Sequence, residues 1–259
     1  MKYISLLQKT IALFLLLLLF SCASKKDVVY YQNIDSLTPA EKSTSYEIRI
    51  QPDDLLIITV SAEEAEVAMP FNLGSTSGSK AAAGPQTVQS YLVDSKGNID
   101  FPILGQLKIS GLTRSEVLRL LQDKIAVYVK NPIINLRILN FKVSVQGEVN
   151  SPGTYAVASD RITLIEALTM AKDLSIFGKR NNILIIREID GVKSYNRVDI
   201  TKADFIQSPF YYMAQNDVIY VEPNKTKIGS STVGANTGLI FSITSILITV
   251  ISLIIATTK

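Results

Sequence analysis

One thiol, no imidazole and a few adjacent carboxylates are what this sequence offers for side-chain chemistry. The absence of His from 259 residues excludes a Ser-His-Asp triad, a His general base and any His-bearing metal site. A lone Cys excludes an intrachain disulfide and a Cys-rich zinc site. Two adjacent acid pairs, Asp53-Asp54 and Glu63-Glu64, could be considered for a glycosidase. The first falls in a turn and the second opens a loop, so nothing sets two carboxylates across a cleft. Adjacent acids in a solvated turn are the plainer reading. Gly84, Gly97 and Gly153 read as turn residues, since no Gly-rich run joins a strand to a helix. Tyr211-Tyr212 could stack on a sugar, although such a pair is more often half core and half surface. No catalytic residue, cofactor or metal is expected.

The thiol is better placed. Lys2 and Lys9 flank the start of the apolar run Ile11–Phe20, which has the length of a signal-peptide core and is short for a bilayer span. Leu19-Phe20-Ser21-Cys22 follows and resembles a bacterial lipobox. The implied chemistry is diacylglycerol transfer to the Cys22 thiol, cleavage before it and acylation of the new amine. Each acyl chain adds roughly 0.8 kcal/mol per buried methylene, so several hold a membrane firmly. Residues 1–21 are expected to be a lipoprotein signal peptide and 22–45 a lipidated polar tether. No Asp directly follows Cys22, which favours the outer membrane. The alternative is an ordinary signal peptide with an incidental Cys.

The chain is 47% hydrophobic and 19% charged, with mean hydropathy +0.25, and the excess apolarity sits at its two ends. At the C-terminus, residues 239–256 read LIFSITSILITVISLIIA, free of charge and Pro. As a helix this run spans roughly 27 Å, close to a hydrocarbon core of about 30 Å. Gly238, Ser242, Ser245, Thr249, Ser252 and Ala256 recur at intervals of four and three, which puts all six on one stripe. A small, hydroxylated stripe on a membrane helix faces another helix or a wet lumen. Equally, the Ser and Thr of a lipid-surrounded anchor bond their own backbone. The net charge of +3 is no argument for nucleic acid, because Lys2 and Lys9 lie in the expected leader and no basic stripe with interleaved aromatics follows.

Between the ends lies an α+β middle. Tyr46–Val60 alternates, turns at Pro52-Asp53-Asp54 and resumes as a β-branched strand. Residues 63–87 read as a long flexible loop. Short strands at 90–93, 99–101 and 106–109 follow. Thr113 and Glu116 form a capping box for an amphipathic helix over 114–127, and Asn131-Pro132 ends it. Ile134, Leu136 and Ile138 alternate as a strand. A second unit opens near Phe141 with strands at 143–149 and 154–157. A helix capped by Thr163 with Glu166 follows, then strands at 182–188 and 193–198 across an Asp190-Gly191 turn, and a last strand at 218–222. Two strands, a helix and two strands is a β-grasp-like order. Residues 223–238 read as a polar linker to the terminal helix.

At these residues the chain resembles the bacterial outer-membrane polysaccharide export family, the Wza-like exporters. YEIRIQPDDLLIITV (46–60) is similar to that family's opening, with Asp53 where Gly is usual. Asp94-Ser95-Lys96-Gly97 with Phe101-Pro102, and Gly111-Leu112-Thr113 with Lys130-Asn131-Pro132, resemble its next elements. Val145–Val149 with Pro152–Tyr155 resembles the start of a soluble-ligand-binding β-grasp (SLBB) domain. Asn216–Val221 resembles its closing strand, with Asn216 where Gly is common. The resemblance implies a small mixed-sheet export domain (46–140), an SLBB-like domain (141–222), a linker (223–238) and a C-terminal transmembrane helix (239–256). It also implies a homo-oligomeric ring, octameric in the family, fixed by lipidated N-termini at the outer membrane with most of the chain periplasmic. Capsular or extracellular polysaccharide would be the cargo and an inner-membrane polysaccharide co-polymerase the partner. A lipid-anchored module that binds glycan or peptidoglycan without a pore is the alternative.

Overall fold

The structure is a computed structural model that describes residues 25–37, 46–73, 89–189, 191–232 and 236–257. The expected leader (1–21) and Cys22 lie outside the described residues, as does most of the 63–87 loop. Two cores account for the middle, and each grows from alternation on short strands.

The first core is built on strand β1 (Leu55–Ser61), which buries Leu56, Ile58 and Val60 on one face. It continues past Ser61 into a short helix, α1 (Ala65–Ala68), and a 3-10 turn whose Phe71 is buried. The segment expected to be loop is therefore ordered at its start. The reason is Asn72, whose amide accepts from Val60 N (2.8 Å) and donates to Val60 O (2.9 Å), standing in for a neighbouring strand. β1 lies between β2 (Tyr91–Leu92) and β5 (Ile133–Ile138), both antiparallel to it, while β3 (Asn98–Phe101) and β4 (Gly105–Lys108) pair as a hairpin. Helix α2 (Arg114–Ile125) starts on the full capping box of Thr113 and Glu116. It buries Val117, Leu121 and Ile125 completely, each worth about 2 kcal/mol of apolar burial.

The second core belongs to a five-stranded sheet. Its strands are β6 (Lys142–Gly147), β7 (Gly153–Ala156), β8 (Gly178–Ile189), β9 (Val192–Val198) and β10 (Val218–Pro223), in the order β7-β6-β10-β8-β9. β10 runs parallel to β6 and antiparallel to β8. Helix α3 (Leu164–Met170), capped by Thr163 and Glu166, closes one face with Leu164, Ala167 and Leu168. A last strand inserted at the centre, beside a helix that crosses one face, is the β-grasp arrangement. Gly147 permits the central pairing: its φ is +90°, and a Cβ there would meet the Val221 carbonyl at 2.1 Å.

Two further segments differ from expectation. The tether is docked where it is described. Tyr30 donates to Asp173 Oδ1 (2.6 Å), Tyr31 stacks on Phe205, and Gln32 N bonds Thr201 O (2.8 Å). Burial and the Asp173 contact push the Tyr30 pKa up. The polar linker forms helix α4 (Lys225–Thr232).

The terminal segment is a helix, α5 (Asn236–Thr257). Among the described residues, no helix is long and apolar enough to cross a membrane. The side chains described in α5 are those of Gly238 and residues 241–250. That run covers only about 15 Å of helix, half a hydrocarbon core. The transmembrane part of the expected fold is thus not carried by the described structure.

Candidate functional site

The two cores meet along a seam threaded by residues 46–51. Ile48 packs in the second core and Ile50, two residues on, in the first. The opening segment expected as a strand forms only an isolated bridge, Arg49 to Thr113, and packs on both units. Ile138 touches both cores as well.

Two tight turns face this seam, one from each domain. In Pro52-Asp53-Asp54, Asp53 adopts φ +69° and Asp54 Oδ2 accepts from Gln51 N at 2.8 Å. In Gln215-Asn216-Asp217, Asn216 adopts φ +63° and Asp217 Oδ2 accepts from Ala214 N at 2.7 Å. Asp and Asn are the residues that enter this region at least cost after Gly. Both are positions where the resemblance leads one to expect Gly.

Asn140 and Gln215 connect the turns. Asn140 Nδ2 donates to Asp53 O and its Oδ1 accepts from Leu55 N, both at 2.9 Å. Gln215 Nε2 donates to Asn140 O (2.9 Å), and its Oε1 accepts from Lys142 N (2.8 Å). The contact between domains thus joins specific polar bonds to the apolar packing of Ile48, Ile50 and Ile138.

Both aspartates are fully buried. Arg187 grips Asp217 through Nε–Oδ1 (2.9 Å) and Nη2–Oδ2 (2.6 Å) and also donates to Tyr212 O. Burial opposes the Arg187 charge, but Asp217 outweighs it and holds the guanidinium more basic than usual. Asp54 has no such partner, and among the described residues its Oδ1 accepts no hydrogen bond. Burial pushes its pKa up to about 6, against the pull of Gln51 N–H and the adjacent Gln215. The expectation of a solvated acid pair is corrected for Asp54: the turn tucks it under the seam and leaves only Asp53 outside.

A cavity of about 230 Å³ opens on another part of the seam, lined by none of the turn residues. Tyr46, Ile48, Ile138 and Phe141 form its apolar side, and Arg114, Arg137 and Arg161 stand around it with Glu47 and Asp160. Glu47 accepts from Ser115 Oγ (2.6 Å) and Ser115 N (3.1 Å), and these bonds lower its pKa. Tyr212 is sandwiched by contacts, stacked on Tyr46 at 5.0 Å with the Arg161 guanidinium 5.4 Å from its ring centre. The Tyr211-Tyr212 pair is therefore engaged within the protein. Sequence patterns did not reveal the cavity, because its residues come from four separated segments.

The expected stripe is placed on α5, where Gly238, Ser242, Ser245 and Thr249 are exposed. Ser242 Oγ donates to Gly238 O (2.8 Å), Ser245 Oγ to Ser242 O (2.9 Å) and Thr249 Oγ1 to Ser245 O (2.8 Å). These hydroxyls satisfy themselves on their own helix. The side chains of Ser252 and Ala256 lie outside the described residues. Among the described residues no group of acids or Cys could hold a metal ion.

A family model described as polysaccharide biosynthesis/export protein matches residues 42–139, and an SLBB domain model matches 141–221. The chain is thus similar to the polysaccharide export family over residues 42–139 and to SLBB domains over 141–221. That family is one of transport components rather than enzymes. The model boundary between residues 139 and 141 falls on Asn140, the residue that joins the two turns. Two curated relatives are each named EPS I polysaccharide export outer membrane protein EpsA. The one from Ralstonia nicotianae is 34% identical over 147 residues, 54% of this chain and 38% of the relative. The one from Ralstonia solanacearum is 32% identical over 163 residues, 60% of this chain and 42% of the relative. The chain thus spans about two fifths of the length of the relatives it matches.

Proposed function

We propose that the protein is an outer-membrane lipoprotein that assembles into an oligomeric translocon for capsular or extracellular polysaccharide. The observation that supports this most is the order of domains: a region similar to the export family followed directly by an SLBB β-grasp. The outer-membrane placement follows the naming of the two Ralstonia relatives. In this reading Cys22 carries the lipid, helix 239–256 spans the membrane, and a homo-oligomeric ring, octameric as in the resembled family, receives cargo from an inner-membrane co-polymerase.

The self-bonded hydroxyls of α5 favour a second reading of that helix, as an anchor whose stripe needs no lumen. A lipid-anchored glycan-binding module would then remain. The mass and shape of the full-length protein in mild detergent separate the two. A large ring with a central cavity supports the translocon; a monomer or dimer overturns it. Cys22→Ser tests the anchor, and normal outer-membrane fractionation of that variant would rule the lipid out. Ser245→Leu with Ser252→Leu should impair assembly or export if the stripe packs on neighbours or lines a lumen, and leave both intact if the helix only anchors.

A further inference from the structure

The cavity on the seam has an uneven balance of charge. Of its two acids, Glu47 is tied to Ser115, and Asp160 lies 3.7 Å from Arg114. Arg114 is further held by a bond from Nε to Leu136 O (2.9 Å). Arg137 and Arg161 form no ion pair among the described residues. Arg137 makes one long contact, Nη2 to Ala158 O at 3.5 Å, and the Arg161 guanidinium rests over the Tyr212 ring. Both are exposed, and both stand beside the apolar surface of Ile48, Ile138 and Phe141.

The geometry points to a binding site for one carboxylated sugar ring in this cavity, its C–H face on the apolar side and its carboxylate taken by Arg137 and Arg161. The pairing of requirements selects the ligand. An inorganic anion would answer the two guanidiniums and leave the apolar side wet. A neutral sugar would cover the apolar side without drawing on the charge of the two guanidiniums. Planar guanidinium forks match a carboxylate in two-point fashion. A cavity of about 230 Å³ lies below the size typical of drug-like ligands, which suits a single ring rather than an oligomer. The choice of a sugar rests on the export reading, and the site would let the exporter sense an acidic unit of its cargo.

The test is calorimetric titration of the full-length protein in detergent with glucuronate, glucose and inorganic phosphate. Glucuronate should bind at least about tenfold more tightly than either of the others. Arg137→Gln with Arg161→Gln should weaken glucuronate at least about tenfold while the circular dichroism spectrum stays unchanged, since both side chains are on the surface. Equal binding of phosphate, unchanged affinity in the double variant, or no saturable glucuronate binding each overturns the site. Deleting the protein from its host and measuring surface polysaccharide judges the export reading separately. Lost polysaccharide without glucuronate binding removes the site and keeps the exporter; Arg-dependent binding with intact polysaccharide does the reverse.

Discussion

The two seam turns have the same backbone and a buried aspartate whose pKa burial pushes up, but only one of the two carboxylates has a counter-charge. Each places a non-Gly residue at positive φ, folds the next aspartate back onto the N–H three residues before it, and launches a strand. In the second domain the carboxylate is met by Arg187 at two points; in the first, Asp54 has no ion pair among the described residues, and its Oδ1 accepts no hydrogen bond from them. The same turn therefore serves as a fixed ionic clamp in one domain and as a titratable joint in the other. A buried charge is tolerated where a counter-charge reaches it and is otherwise neutralised by a proton.

The largest effect should come from breaking the clamp. Arg187→Met leaves Asp217 buried and unpaired, and chemical denaturation should show a loss of about 3–5 kcal/mol. Smaller, and opposite in logic, is the pH response of Asp54. Its folded pKa of about 6 lies above the ordinary carboxylate value, so the folded state binds the proton more tightly than the unfolded chain. Its contribution to stability is complete below about pH 4 and is lost as pH rises through 6. Denaturation at pH 4.5 and 7 should differ by about 2 kcal/mol from this group, and Asp54→Asn should remove that part of the slope. If the slope survives in the Asn variant, Asp54 is not the joint described. The smallest effect concerns the shared backbone. Asp53→Ala and Asn216→Ala should each cost about 1 kcal/mol, while Gly at either position should unfold within about 0.5 kcal/mol of the parent. Unequal responses at the two sites would show that the turns are alike in outline only.

Local rules carried the helices. The Thr113–Glu116 and Thr163–Glu166 boxes are both complete in the structure, and the strand alternations at 55–61 and 218–222 bury the residues they mark. The order of the second sheet was not legible, because β10 pairs with β6 and β8 across distances that no local pattern encodes. Nor was the burial of Asp54. Two adjacent acids after Pro look solvated, and one of them is covered by segments distant in sequence, Val93, Asn140 and Gln215 among them. Tyr30 and Tyr31 sit in a polar stretch, so their docking on the second domain depends on partners more than 140 residues away. For the seam, the sequence revealed the types of residue but not their company.

The position of β10 governs the order in which the second domain can be made. The hairpins β6–β7 and β8–β9 can each form as soon as they are synthesised, yet they share no ladder of their own; both hydrogen-bond to β10. Until Val218–Pro223 arrives, each hairpin keeps an open edge where the central strand belongs, a surface prone to pairing with other chains. Completion of this domain therefore waits for the far end of its sequence. A chain cut short before residue 218 would lack the only strand that pairs with both hairpins among the described residues.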